Sequence, residues 1–208
     1  MGALVRFDAD GRWGDTLVCD GLIGQQLAQA GIGFGRWPVR ALPERAGGEG
    51  ADNNDRLAEV RVLYGEELAA LQGSFGSFEV RSADRVHIEA GRADWPEMRQ
   101  KFLAEHTHTD AEIRFFLDGA ALFYVRTGDG FIGLLCEAGE WVALPAGTRH
   151  FFDAGETPGF DALRLFAEPH GWVAQPTGAV TPTALPLYDD FVEQLLTLTG
   201  HEAEEEFE

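Results

Sequence analysis

The chain has 208 residues, and its 35 acidic against 16 basic side chains give a formal net charge of −19 at pH 7. This balance excludes proteins that coat a nucleic-acid backbone or dock on an anionic membrane surface, because both need clustered Lys and Arg. With 45% hydrophobic and 25% charged residues, the composition is typical of a soluble, folded domain that buries a core of its own.

The first hundred residues predict helices separated by a polar segment. Asp20 opens a short apolar pattern that predicts a capped helix ending near Gly31. Apolar residues then recur at three- and four-residue spacing over Leu57–Leu71, which predicts an amphipathic helix. A third short helix is predicted over Trp95–Leu103. The segment Glu44–Asp55 is rich in Gly, Asn and Asp and predicts a loop.

From residue 105 the chain changes to short runs of aromatic and branched residues separated by glycine-containing turns, which is typical of strands. The predicted strands are 106–108, 111–117, 121–126, 130–136, 140–144, 149–152 and 160–167. Many short strands at this spacing indicate a small β-barrel or a double-sheet jelly roll.

The domain organisation follows from this change in pattern. We predict one domain over 1–180, in which the segment 1–104 packs on a barrel formed by 105–175. The remaining residues 181–208 are predicted to form a helix over Tyr188–Leu198 and an acidic tail.

Two histidines and a carboxylate lie close together where the predicted strands begin. His106 and His108 project from the same face of a strand, and Glu112 has the same parity. A fourth ligand could come from His150, which ends the run Pro145–His150. Three imidazoles and a carboxylate suit Fe²⁺, Ni²⁺, Mn²⁺ or Zn²⁺. A His-x-His pair taken alone is equally compatible with a solvated surface.

Two longer motifs contain these candidate ligands. The motifs are His106-x-His108-(three)-Glu112-(six)-Gly119 and Gly139-(five)-Pro145-x-Gly147-(two)-His150. They resemble the two conserved stretches of the cupin superfamily, although Gln100 and Ala154 replace a glycine and an asparagine of that pattern. The resemblance implies a mostly β protein with flanking helices, built as a cupin-type double-sheet β-barrel (jelly roll) that holds a metal between its sheets.

The wider stretches Lys101–Gly119 and Leu144–Gly155 resemble the acireductone dioxygenases of methionine salvage, and the similarity covers roughly residues 1–180. The resemblance implies one Fe²⁺ or Ni²⁺ per chain, held by the four ligands, and a reaction between O₂ and acireductone, an enediol with a methylthio tail. With iron the implied products are formate and the keto-acid precursor of methionine. With nickel they are methylthiopropionate, formate and carbon monoxide.

Further residues are candidates for catalysis and substrate binding. Arg114 follows Glu112 on the same strand face, where its guanidinium could pair with the oxygens of the substrate. The resemblance also places four residues around the substrate, namely Phe102, Phe152, Arg164 and Trp172. Core packing of the three aromatics and a structural ion pair of Arg164 are the alternatives. Glu105 is a candidate base or a residue that orients a ligand.

The expected partners are acireductone and O₂, with neither nucleic acid nor membrane. The alternatives are another metal-dependent cupin dioxygenase or isomerase, and a non-catalytic cupin whose Zn²⁺ only stabilises the barrel. We expect a monomer, because like charges oppose self-association. Two cysteines, Cys19 and Cys136, are too few for a disulfide framework and favour a cytoplasmic location.

Overall fold

The computed structural model describes residues 2–43, 56–74, 78–168 and 173–200. The secondary structure of these residues, in chain order, is β1 (Ala3–Asp8), β2 (Trp13–Leu17), α1 (Asp20–Gln29), β3 (Gly33–Arg36), α2 (Leu57–Ser74), β4 (Ser82–Ile88), α3 (Trp95–Leu103), β5 (His106–Thr107), β6 (Glu112–Arg126), β7 (Gly130–Glu137), β8 (Glu140–Leu144), β9 (His150–Asp153), β10 (Phe160–Phe166), β11 (Gln175–Pro176) and α4 (Tyr188–Thr199).

The strands form two antiparallel sheets that share β6. One sheet has the order β11-β5-β9-β6-β7-β1-β2, and the other has the order β4-β10-β6-β8-β3. Apolar side chains from both sheets meet in one buried cluster that includes Phe116, Phe123, Phe152 and Phe160. The predicted mostly β, double-sheet barrel with flanking helices is therefore confirmed.

β6 passes from one sheet to the other at Gly119. Its first half pairs with β10 and β8, and its second half pairs with β7 and β9. Gly119 has φ +69°, and a Cβ there would lie 1.9 Å from the carbonyl oxygen of Gly159. Only glycine fits this left-handed, crowded corner. The sequence predicts two strands here, 111–117 and 121–126, whereas in the structure the single strand β6 runs through the bend.

The segment before residue 104 contributes strands as well as helices. β1 lies between β2 and β7, with Ala3 opposite Leu135, and β4 forms the edge of the other sheet beside β10. The sequence analysis identified neither strand. β1 lacks a clean alternation because Ala3, Leu4 and Val5 are all buried, so its pattern does not indicate a half-exposed strand.

The four predicted helices are present. α1 and α3 match the prediction closely, and α2 extends to Ser74 with a break in helical geometry at Tyr64, whose φ is −126°. The Tyr64 hydroxyl donates to the Arg40 carbonyl and accepts from the Arg40 amide, which ties the break to the preceding segment. No helix of the described chain is long and apolar enough to cross a membrane.

α4 packs on the outer face of the first sheet. Phe191 is fully buried in a cluster with Phe7 and Tyr124, and the Tyr188 amide donates to Asp153 at 2.9 Å. The predicted loop at 44–55 and the tail at 201–208 lie outside the described residues. The domain boundary near residue 180 stays a prediction.

Candidate metal centre

Three histidines converge at one end of the space between the sheets. His106 and His150 are paired residues of β5 and β9, and His108 follows two positions after His106. One ring nitrogen from each of the three lies within 4.8 Å of the others. The pairing of β5 with β9 therefore brings together histidines from the two sequence motifs, His106 and His150, which lie 44 residues apart in the chain.

Backbone carbonyls set the orientation of each imidazole. The Nδ1 atoms of His106, His108 and His150 lie 2.7 Å, 3.3 Å and 2.8 Å from the carbonyl oxygens of Ala104, Val173 and Thr148. A carbonyl can only accept, so each Nδ1 carries the proton and each Nε2 has an available lone pair. This arrangement is typical of metal-binding histidines.

Glu112 completes the cluster at the start of β6. Its Oε2 lies 3.3 Å from Nε2 of His108 and 2.7 Å from Nε2 of His150. Burial alone would raise the pKa of Glu112, but the charges of Arg114 and His150 outweigh burial and hold it well below its usual value. The buried carboxylate is therefore an anion at neutral pH.

The histidines differ in how readily they take up a proton. Burial lowers the pKa of His106. Burial also acts to lower the pKa of His150, yet the neighbouring Glu112 carboxylate outweighs it and raises that pKa. A proton on His150 would occupy the same nitrogen that faces the cluster.

The donor atoms fit a divalent transition metal. Oε2 of Glu112 and Nε2 of His150 are buried and have no hydrogen-bond partner of acceptable geometry among the described residues, although they lie close together. Buried polar atoms without partners are costly, and a cation among them removes that cost. Three imidazole nitrogens and one carboxylate oxygen suit iron, nickel, manganese or zinc.

Arg114 lies beside the cluster, as its position two residues after Glu112 predicts. Its Nη2 donates to Oε1 of Glu112 at 2.7 Å, and its guanidinium lies 4.6 Å from the ring centroid of Phe152. Its Nε is buried without a hydrogen-bond partner in the part of the chain that the structure describes. Burial lowers the pKa of Arg114, as does the charge of Arg164, whereas Glu112 and Asp84 act to raise it.

Aromatic rings continue from Arg114 towards α3. Phe152 is buried, and its ring centroid lies 5.7 Å from that of the half-buried Phe102. Both rings also pack on the core, Phe102 against Trp95 and Phe152 against Phe160. Their positions are compatible with both core packing and substrate contact. Trp172 lies outside the described residues.

Arg164 is the residue of β10 directly opposite Arg114. Its guanidinium donates to both carboxylate oxygens of Asp84, from Nε at 2.7 Å and from Nη2 at 2.5 Å. The ion pair that was the alternative for Arg164 is therefore present. Sequence reasoning missed Asp84, because it lies in no motif and 80 residues before its partner.

Glu105 is engaged on both carboxylate oxygens. It is buried and accepts hydrogen bonds from Arg126, from Arg149 at 2.8 Å and from Thr177 at 2.7 Å. Burial acts to raise its pKa, but the hydrogen bonds of Thr177 and the two arginines lower it. An anion held by these donors is a poor proton acceptor, so the contacts favour an anchoring role over that of a base.

Known proteins of one family are similar to this chain. A family model described as the ARD/ARD′ family matches residues 56–174. An acireductone dioxygenase from Marinobacter nauticus is 40% identical over 175 residues, which are 84% of this chain and 88% of that protein. One from a Synechococcus species is 38% identical over 166 residues, covering 80% and 84%.

A solved structure has the same fold. It is described as an acireductone dioxygenase from Bacillus anthracis with a cadmium ion in its active centre. The match has a TM-score of 0.64 at 23% identity and covers 83% of this chain and 96% of that one. Together with the three-histidine cluster, the extent of these matches establishes that the chain belongs to the ARD/ARD′ family, the family of the acireductone dioxygenases.

Proposed function

We propose that the protein is an acireductone dioxygenase that cleaves the enediol of methionine salvage with O₂. The observation that carries the proposal is the buried cluster of His106, His108, Glu112 and His150, with Arg114 hydrogen-bonded to its carboxylate. The similarity of the curated relatives over four fifths of the chain supports the same reaction.

We propose that His106, His108, His150 and Glu112 hold one Fe²⁺ or Ni²⁺ per chain. The bound ion would supply Lewis acidity and the chemistry of O₂. The donor set accepts either metal, since imidazole and carboxylate ligands suit both. The proposed products are formate and the keto-acid precursor of methionine with iron, and methylthiopropionate, formate and carbon monoxide with nickel.

Arg114 is proposed to bind the ionised enediol. Its guanidinium is fixed by Glu112 and by the ring of Phe152, so its charge is oriented before the substrate arrives. A fixed cation in a buried site stabilises an enediolate more than a solvated one does, because little solvent screens it. Phe102 and Phe152 provide an apolar surface for the methylthio tail, and Arg164 and Trp172 are proposed as further substrate contacts.

Glu105 is proposed to orient the cluster. It directly precedes His106, and its partner Arg149 directly precedes His150, so their ion pair joins two ligand-bearing strands at a second point. We also propose that the protein acts as a monomer in the cytoplasm, with acireductone and O₂ as its partners and neither nucleic acid nor membrane.

The test compares protein loaded with Fe²⁺ or Ni²⁺ in the presence of acireductone. O₂ uptake and formate release are expected with both metals, and carbon monoxide with nickel alone. His150→Gln should lose stoichiometric metal and turnover. His87→Gln is the matched control, because His87 is a half-exposed residue of the edge strand β4 that contacts Glu89 and is not one of the clustered histidines. If zinc stabilises the protein but the loaded protein leaves acireductone and O₂ unchanged, the result favours a non-catalytic cupin. If the protein turns over a different small substrate instead of acireductone, the result favours another cupin enzyme.

A further inference from the structure

Three charged side chains form a row across the interior face of the second sheet. Arg114 of β6 lies opposite Arg164 of β10, and Arg164 lies opposite Asp84 of β4. Residues in register on neighbouring antiparallel strands share a face and stand side by side. Asp84 therefore belongs to the same row as Arg114, two strands away.

The two arginines are like charges at directly opposed positions, an arrangement that is unfavourable by itself. Each guanidinium is bound to a different carboxylate. Arg114 donates to Glu112 on its own strand, and Arg164 donates to Asp84 on the other side. The row thus pairs each cation with its own anion.

The two hydrogen bonds from Arg164 to Asp84 fix the orientation of the guanidinium as well as neutralising its charge. Both donors on the Nε side of the guanidinium are used, at 2.7 Å and 2.5 Å, so this edge faces β4. Bidentate pairs of this kind restrict the rotation of the arginine. The side chains of Asp84 and Arg164 are 14% and 27% exposed, so solvent screens the pair less than one on the open surface.

We propose that Asp84 is a positioning residue for substrate binding, which acts by holding Arg164 at a fixed place beside Arg114. The inference rests on the proposed function and on Arg164 as a substrate contact. Asp84 does not touch the substrate. Its carboxylate orders the second cation of the site in advance, so that the anionic enediol meets two arginines of set separation. Without it, the cost of ordering Arg164 is added to the binding step.

The kinetic test is Asp84→Asn, which keeps the shape of the side chain and removes its charge. We expect KM for acireductone to rise about three- to tenfold, the range for ordering one long side chain on binding. We expect kcat to change less than about twofold, because the lost interaction is common to the ground and transition states. Asp84→Glu should recover part of the affinity. An unchanged KM in Asp84→Asn would overturn the proposal.

A double variant tests whether Asp84 acts through Arg164. In an Arg164→Met background, Asp84→Asn should leave KM where Arg164→Met alone has placed it. If Asp84→Asn raises KM by the same factor in both backgrounds, the residue acts independently of Arg164 and the proposal is wrong.

A matched ion pair on the same two strands controls for lost stability. Arg85 and Asp161 form a bidentate pair between β4 and β10 on the opposite face, with side chains 19% and 9% exposed. Asp161→Asn should lower the Tm about as much as Asp84→Asn while leaving KM unchanged. An equal rise of KM in both variants would show that the effect comes from weakening the sheet, which would overturn the proposal.

A spectroscopic readout separates this inference from the proposed reaction. The measured quantity is the exchange rate of the Arg164 Nε–H proton with water, followed through its ¹H–¹⁵N signal, which is assigned by its absence in Arg164→Met. This exchange should be slow in the parent protein and rapid in Asp84→Asn. If the parent protein turns over no acireductone but this change is seen, the proposed substrate is wrong and the positioning of Arg164 by Asp84 stands. A resonance that stays protected in Asp84→Asn would overturn the positioning role.

Discussion

Arg114 and Glu112 lie on the same face of β6, and the guanidinium donates at 2.7 Å to the carboxylate oxygen that does not face the histidines. The two oxygens of Glu112 therefore have separate tasks. Oε1 is held by Arg114, and Oε2 is directed at the imidazoles of His108 and His150. The residue proposed to bind substrate therefore also orients Glu112, the proposed carboxylate ligand of the metal.

Arg114→Met should therefore weaken metal binding as well as turnover. We expect the metal affinity to fall about tenfold, as is usual when a residue that orients a ligand is removed. Turnover should fall at least about 100-fold, since the oriented cation is lost. Chelator competition measures the first effect and O₂ uptake at saturating metal the second. An unchanged metal affinity would show that Glu112 keeps its orientation without Arg114.

Glu105→Gln distinguishes an anchor from a base. Loss of the charge leaves Arg126 and Arg149 without their buried anion, so we expect about 3 kcal/mol of destabilisation in urea unfolding. If Glu105 is an anchor, the kcat–pH profile of the Glu105→Gln protein that remains folded should have the same shape as the profile of the parent protein. Disappearance of the acidic limb of that profile would instead identify Glu105 as the base.

Glu140 makes the stability of the protein depend on pH. It is buried, and although Arg36 lies at 2.7 Å, burial raises its pKa from 4.5 to about 7. Between these values the folded state binds more protons than the unfolded state, so stability falls as the pH rises from about 4.5 to about 7 and levels off above that range. The full effect is at most about 3 kcal/mol.

Glu140→Gln should abolish this part of the pH dependence, measured as the free energy of unfolding from pH 5 to pH 8. Glu137→Gln is the control. Glu137 contacts the same Arg36 at 3.2 Å, but its side chain is 31% exposed against 0% for Glu140. If the free energy of unfolding changes with pH equally in the parent protein and in Glu140→Gln, then Glu140 ionises in the folded state as it does in the unfolded state.

Gly119→Ala should be severely destabilising. A Cβ at this position meets the backbone of Gly159 at 1.9 Å, and the positive φ adds strain for any other residue. We expect a loss of at least about 3 kcal/mol. Gly128→Ala is the matched control, because no atom of the described residues would lie within 4 Å of a Cβ there, and its change should stay within about 0.5 kcal/mol. Equal stability of the two variants would show that the corner of β6 relaxes freely.

Local patterns predicted much of this fold. Apolar residues at three- and four-residue spacing predicted the helix over Leu57–Leu71. Short runs of aromatic and branched residues between glycine-containing turns predicted the barrel strands after residue 105. Strand parity also predicted that His106, His108 and Glu112 would come together, and they do, although β5 ends at Thr107 and Glu112 begins the separate strand β6.

Contacts between distant segments could not be predicted in the same way. The pairing of β4 with β10 brings Asp84 to Arg164, yet nothing near Asp84 in the sequence marks it as the partner of a site residue. The donors to Glu105 likewise come from three different segments, at Arg126, Arg149 and Thr177. Such contacts depend on strand register, which is set by the packing of the whole barrel.

The position of β1 also determines when the barrel can close during folding. Ala3 pairs with Leu135, and Ser82 of β4 pairs with Phe166, so both sheets join segments that are far apart in the chain. Bringing such segments together costs loop-closure entropy before any contact forms, which predicts refolding in milliseconds to seconds rather than microseconds. Until β7 pairs with it, the apolar strand β1 has an open edge, and an open apolar edge favours pairing with other chains, so we expect aggregation to compete with refolding as the protein concentration rises.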